Sequence, residues 1–193
     1  MKEYPKKLSL RDKTKVVTRP VESGDIEALS KFFSKIPKSD LFIYKNDVTN
    51  LETIESWFTN PSYKKVFQLM GLFNDEIIAK GTLHSEGLYW SKAAEIKLVV
   101  DPDYRGLGLG SQMFNLILYE GIRRNFTKII VRYLQDNLSI IHILNHYGFQ
   151  PETIHSSYIE NGDNGEQKDL IVASYDLKNW ERRFEFYSFL YRK

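Results

Sequence analysis

Arg105 stands immediately before three glycines spaced two apart, Gly106, Gly108 and Gly110, in the stretch DPDYRGLGLG that follows a run of β-branched and apolar residues. Glycines so placed permit positive φ and let a ligand come close to the main chain. A helix beginning at Gly108 leaves several N–H groups unpaired. Together with the helix dipole they make a site for phosphate, to which Arg105 adds a bidentate charge. The spacing is not G-x-G-x-x-G, because Ser111 and Met113 stand where the last glycine is needed, and no Gly-Lys-Ser/Thr marks a P-loop. The bland alternative is a glycine-rich strand-to-helix turn that binds nothing.

Other residues carry donor atoms at suggestive spacings. His142 and His146 are four apart in one helical stretch, as zinc ligands can be. Ile143 follows the first, however, and no further ligand cluster accompanies them, so no metal is expected. His84, Tyr89 and Trp90 lie in HSEGLYWSKAAE, between two strands, where they can meet a substrate or simply cap a hairpin with aromatics. The chain has no cysteine. That removes disulfides, thiolate zinc sites and any thioester formed on the protein; if the protein transfers an acyl group, it must do so without a cysteine nucleophile.

The elements that must position these groups show both hydrophobic periods. KVVTRPV (Lys15 to Val21) reads as a strand, and Ser23 as the cap of a helix from about Asp25 with Ile26, Leu29, Phe32 and Phe33 on its face. A second helix is predicted near NLETIESWF. Lys65 to Phe73 and Glu76 to His84 read as strands joined by the turn residues Asn74 and Asp75. AEIKLVV is a further strand, ended by Pro102. Phe114, Ile117, Leu118 and Ile122 recur at helical spacing from Gly108 to about Arg124. KIIVRYL is a short apolar strand, LSIIHILNHY a helix stopped by Gly148, and two closing strands flank the polar NGDNGEQ. The order βααβββαβαββ predicts an α/β (α+β) fold: a mixed, mostly antiparallel sheet of about seven strands with about four helices and a parallel pair in the middle.

Composition bounds the function. With 193 residues the chain suits one domain, placed over 1–178. The tail NWERRFEFYSFLYRK forms an aromatic and basic extension, 179–193, expected to cover the domain or a partner subunit, as in a homodimer. Its arginines also raise nucleic-acid binding, without a recognisable module to support it. The balance of 27 basic and 25 acidic residues leaves a net charge of +2, which asks for neither nucleic acid nor membrane as a partner. No stretch approaches the ~20 apolar residues of a membrane span, and MKEYPKKLSLRDK has no apolar leader core. A cytoplasmic location is the expectation.

VVDPDYRGLGLGSQMF resembles the signature of the GCN5-related N-acetyltransferases, the GNAT superfamily, whose R/Q-x-x-G-x-G/A motif appears here as Arg105 to Gly110. VVTRPVESGDIEALSKFF is similar to that family's first strand and helix, and NLSIIHILNHYGFQP to its second cofactor motif. The resemblance runs from about Lys15 to Leu177. It implies acetyl-coenzyme A in a cleft where two adjacent central strands splay apart. The pyrophosphate would sit on the amides of Gly106, Leu107, Gly108, Leu109, Gly110 and Ser111. The pantetheine would pair like an added strand with Leu98, Val99 and Val100, and Asn137 would bond its arm. Exposed strand edges do satisfy amides in this way.

For an acceptor amine with a pKa near ~10.4, only about one molecule in two to three thousand is neutral at pH 7, a handicap of roughly 4–5 kcal/mol. Glu95, on the strand that would line the cleft, is the candidate general base; it matches in type a glutamate of histone-acetylating relatives, one position off in spacing. Its alternative is a solvated strand-edge carboxylate. An N–H near Val100 would polarise the thioester carbonyl. In many relatives a tyrosine seven residues after the motif asparagine protonates the leaving thiolate. Here Leu144 stands there, which leaves Tyr147 as the candidate acid. The expected function is acetyl transfer to a primary amine, of a small molecule or a protein, by direct attack in a ternary complex. The alternative is a non-catalytic coenzyme A-binding regulatory module.

Overall fold

A computed structural model describes residues 4–44, 46–60, 66–85, 92–161 and 166–177. Eight strands, β1 (Lys6–Ser9), β2 (Lys15–Pro20), β3 (Phe67–Phe73), β4 (Glu76–Ser85), β5 (Ala93–Val100), β6 (Lys128–Leu134), β7 (Gln150–Asn161) and β8 (Glu166–Asp176), are ordered β1-β2-β3-β4-β5-β6-β8-β7. The mixed, mostly antiparallel sheet is as expected, with β5 and β6 as its parallel pair. Four α-helices accompany it among the described residues: α1 (Ile26–Lys35), α2 (Leu51–Thr59), α3 (Leu109–Arg123) and α4 (Leu138–Tyr147). The added strand is β1. Its four residues KKLS show one apolar side chain, too short a pattern to read as a strand before β2 pairs with it.

The chain divides into two compact units, Met1–His84 with Ile96–Ile117, and Ser85–Glu95 with Leu118–Lys193. In the first, Leu29, Phe32, Phe33 and Ile36 of α1 and its cap recur at helical spacing and bury against Ile54 and Trp57 of α2 and Met70, Ile77 and Val99 of the sheet. Asn74 and Asp75 take φ of 49° and 62°, the left-handed pair of a tight hairpin turn between β3 and β4. Ser23 does not cap α1. It opens a 3-10 turn, Ser23–Asp25, and Glu22 and Asp25 form the capping box. The Asp25 carboxylate instead accepts two hydrogen bonds from Arg19, at 2.7 and 2.8 Å, and one from the Glu22 N–H. A charged fork outcompetes a hydroxyl for that place. Gly81 allows β4 to approach α3: a Cβ there would lie 2.3 Å from Ile117 Cδ1.

In the second unit β6 pairs with β8 over its whole length, from Lys128↔Asp176 to Leu134↔Leu170. The β7–β8 ladder shifts register twice, between Pro151 and Thr153 and between His155 and Ile159. α4 ends at Gly148, whose φ of 82° lets its N–H return to the Leu144 carbonyl at 3.0 Å.

Candidate active site

The glycine loop departs from its expected conformation at one residue. Gly106 and Gly108 have φ of 74° and 88°, the left-handed region that other residues avoid, whereas Gly110 lies within α3 and needs no such freedom. The first α3 bond joins the Gln112 N–H to the Gly108 carbonyl at 3.1 Å, so the N–H groups of Leu109, Gly110 and Ser111 precede the helical ladder. A Cβ on Gly106 would meet nothing within 4 Å. The loop therefore has both the donors and the open approach that a phosphate requires, and on that ground it fits the pyrophosphate of coenzyme A.

Arg11 holds this loop from behind. Its N–H donates to the Leu107 carbonyl at 3.1 Å and its guanidinium to the Gly106 carbonyl at 3.4 Å. A trans peptide carries its N–H opposite its C=O, so these bonds turn the N–H groups of Leu107 and Gly108 to the other side of the loop. Arg11 is thus a positioning residue, and neither its charge nor its location in the β1–β2 turn announced it. Gln112 adds a bond to the Ser9 carbonyl at 3.1 Å. Arg105, the expected phosphate ligand, donates through Nε to the Val100 carbonyl at 3.0 Å, while Nη2 meets Asp40 at 2.6 Å. Asp40 lies in a 3-10 turn, Lys38–Ile43, between α1 and α2.

Leu98 and Val100 are half-buried on β5, alternating with buried Val99. The Asp101 N–H donates to the Ile78 carbonyl at 2.9 Å, which lays β4 beside this stretch. The Asp101 carboxylate caps the next turn through the Asp103 N–H at 3.0 Å. His84 is half-buried near the end of β4. Tyr89, Trp90 and the 179–193 extension lie outside the described residues.

The second unit holds the remaining candidates. Glu95 is buried, with Oε1 at 2.8 Å from Arg132 Nη1, so it is not a solvated edge carboxylate. Asn137 is the N-cap of α4, its side-chain oxygen accepting from the Ile140 N–H at 3.2 Å; its NH2 keeps the donor chemistry expected of it. Leu144 is 2% exposed, a core position of α4. Tyr147 closes the helix, half-buried with its ring against His146, and burial raises its phenol above the ordinary value, which keeps it protonated at neutral pH. No cluster of metal ligands occurs among the described residues, and no helix among them is long and apolar enough to cross a membrane.

The sequence reading missed a second group in the first unit. Lys80 of β4 is 1% exposed, its ammonium 4.0 Å from the Trp57 ring centre, 5.3 Å from Tyr44 and 5.7 Å from Phe33. Burial, aided by the nearby charge of Lys97, pushes its pKa well below that of an ordinary lysine. The Tyr44 hydroxyl is buried without a hydrogen-bond partner, and burial raises its pKa. The signal was present in part: a lysine inside the apolar run EIIAKGTLH breaks the pattern of a buried strand.

Residues 31–149, more than half of the chain, match the model of the Acetyltransferase (GNAT) family. No curated protein sequence matches the chain at a significant level. Among solved structures, an N-acetyltransferase from Staphylococcus aureus Mu50 is similar at 17% identity and a TM-score of 0.72, over 84% of this chain and 98% of that one. The ribosomal-protein-S5-alanine acetyltransferase from Vibrio fischeri is similar at 18% identity and 0.69, over 86% and 94%. A putative acetyltransferase from Salmonella typhimurium, solved with its cofactor acetyl-CoA, is similar at 16% identity and 0.69, over 84% and 94%. At such identities these structures speak for the fold, and the family model for the kinship: the left-handed glycine loop at the head of α3 is that of a chain belonging to the GNAT acetyltransferase family.

Proposed function

We propose that this protein transfers an acetyl group from acetyl-coenzyme A to a primary amine by direct attack in a ternary complex. The observation that carries the reading is the loop in which Gly106 and Gly108 turn unpaired N–H groups outward ahead of α3. Those amides and Arg105 would hold the pyrophosphate, and Leu98, Val99 and Val100 would offer main-chain partners to the pantetheine amides. Asn137 would donate from its NH2. When bound, acetyl-coenzyme A supplies the activated acyl group. Glu95, fixed by Arg132, would take the proton that the amine must lose, and Tyr147, held protonated, would return one to the departing sulfur.

The test measures thiol release from acetyl-coenzyme A with a panel of amines. Release that rises with an amine and falls at least about tenfold in Glu95→Gln is expected. Tight coenzyme A binding, with no release on any amine, peptide or polyamine, would overturn the enzyme reading. It would favour the second one, a non-catalytic coenzyme A-binding module, for which the burial of Leu144 in place of an acid is the specific observation.

A further inference from the structure

We infer that Lys80 and Tyr44 receive a carboxylate of the acceptor, so that the protein selects amines bearing an acidic group over simple alkyl amines; this rests on the acetyltransferase reading above. The Lys80 ammonium and the Tyr44 hydroxyl can both donate hydrogen bonds. Lys80 is buried, yet its ammonium has no hydrogen bond or ion pair among the described residues, only the faces of three aromatic rings. The Tyr44 hydroxyl, beside it, is also without a partner. Lys97 brings a second cation, 5.8 Å from the same Tyr44 ring.

A buried amine and a buried hydroxyl are costly to leave unsatisfied. A ligand anion removes both penalties at once, and a carboxylate, with two oxygens in one plane, answers an ammonium and a phenol while needing little room. Tyr44 and Lys97 are half-buried.

The place suits a substrate anchor. Lys80 stands two residues beyond Ile78, whose carbonyl takes the Asp101 N–H, and Val99 shares the core on which Lys80's aromatic neighbours lie. An acid group held at Lys80 therefore leaves the rest of the ligand beside the β5 stretch assigned to the pantetheine. The flat Tyr44 and Trp57 rings, 23° apart in plane, give an apolar wall for the part between.

The experiment is calorimetric binding of matched amines to the full chain, with coenzyme A present and absent, so that it does not depend on turnover. Phenylalanine is compared with phenethylamine and β-alanine with propylamine. The carboxylate-bearing partner is expected to bind at least about tenfold more tightly. That preference should vanish in Lys80→Met and shrink in Tyr44→Phe, while coenzyme A affinity stays unchanged in both. Equal affinity within each pair, no binding of either, or a preference that survives both substitutions would overturn the inference. Amine-dependent thiol release without a carboxylate preference would do so while leaving the acetyltransferase reading intact.

Discussion

At the residue scale, charge placement gives the sharpest expectations. Lys80 has a folded-state pKa below its unfolded value of ~10.4, so between the two the unfolded chain binds the extra proton and stability rises with pH. Lys80→Met removes that proton linkage. Its melting temperature should exceed the wild type's at neutral pH, and the gap should close as pH approaches 10, as thermal scans across pH will show. Asp25 runs the other way. Hydrogen bonds from Arg19 hold its carboxyl below the usual range, so its contribution is complete above about pH 4 and is lost as pH falls through the folded value. Asp25→Asn should cost ~1–3 kcal/mol at pH 7 in urea unfolding, with the difference shrinking in acid. The Asp40–Arg105 pair is partly exposed, 30% and 41%, and is worth at most about 1 kcal/mol. Asp40→Asn frees Arg105 for phosphate, and coenzyme A affinity should rise by no more than about fivefold, less at high salt.

At the scale of elements, the glycine loop and the β4–α3 contact are the places where backbone shape decides the outcome. Gly108→Ala imposes on a left-handed residue a strain of ~1–2 kcal/mol, which the loop relieves by leaving its cradle geometry, and coenzyme A binding should weaken up to about tenfold. Gly81→Ala drives a Cβ against Ile117 Cδ1 and should cost ~1–3 kcal/mol in chemical denaturation. Ile117→Val removes that carbon, so the double variant should recover most of the loss. These elements were largely legible in the sequence, because their causes are local. Asn74 and Asp75 ask for positive φ wherever they fold, Gly148 stops a helix by its own conformation, and the α3 face repeats every three or four residues. Two local readings missed. Ser23 lost the cap to Asp25 because Arg19 comes from the neighbouring strand to charge that position, and β1 is a strand only through its pairing with β2.

At the scale of the whole molecule, a net charge of only +2 predicts no appreciable affinity for duplex DNA at physiological salt, measurable by fluorescence anisotropy with the full chain. The sequence by itself determined the order of elements after β1, the mixed sheet and the left-handed turns of the glycine loop after Arg105. Each follows from periodicity or from the conformational freedom of glycine, properties a few neighbouring residues carry. Only the tertiary structure decided which side chains meet. Arg105 finds Asp40 across 65 residues and Arg11 reaches Gly106 across 95. Likewise Lys80 comes to rest among Phe33, Tyr44 and Trp57. Glu95 is taken out of water by Arg132, and Leu144 sinks into the core at the position where an acid was sought. Burial and ion pairing depend on what folding brings within a few ångströms, and no spacing along the chain encodes that distance.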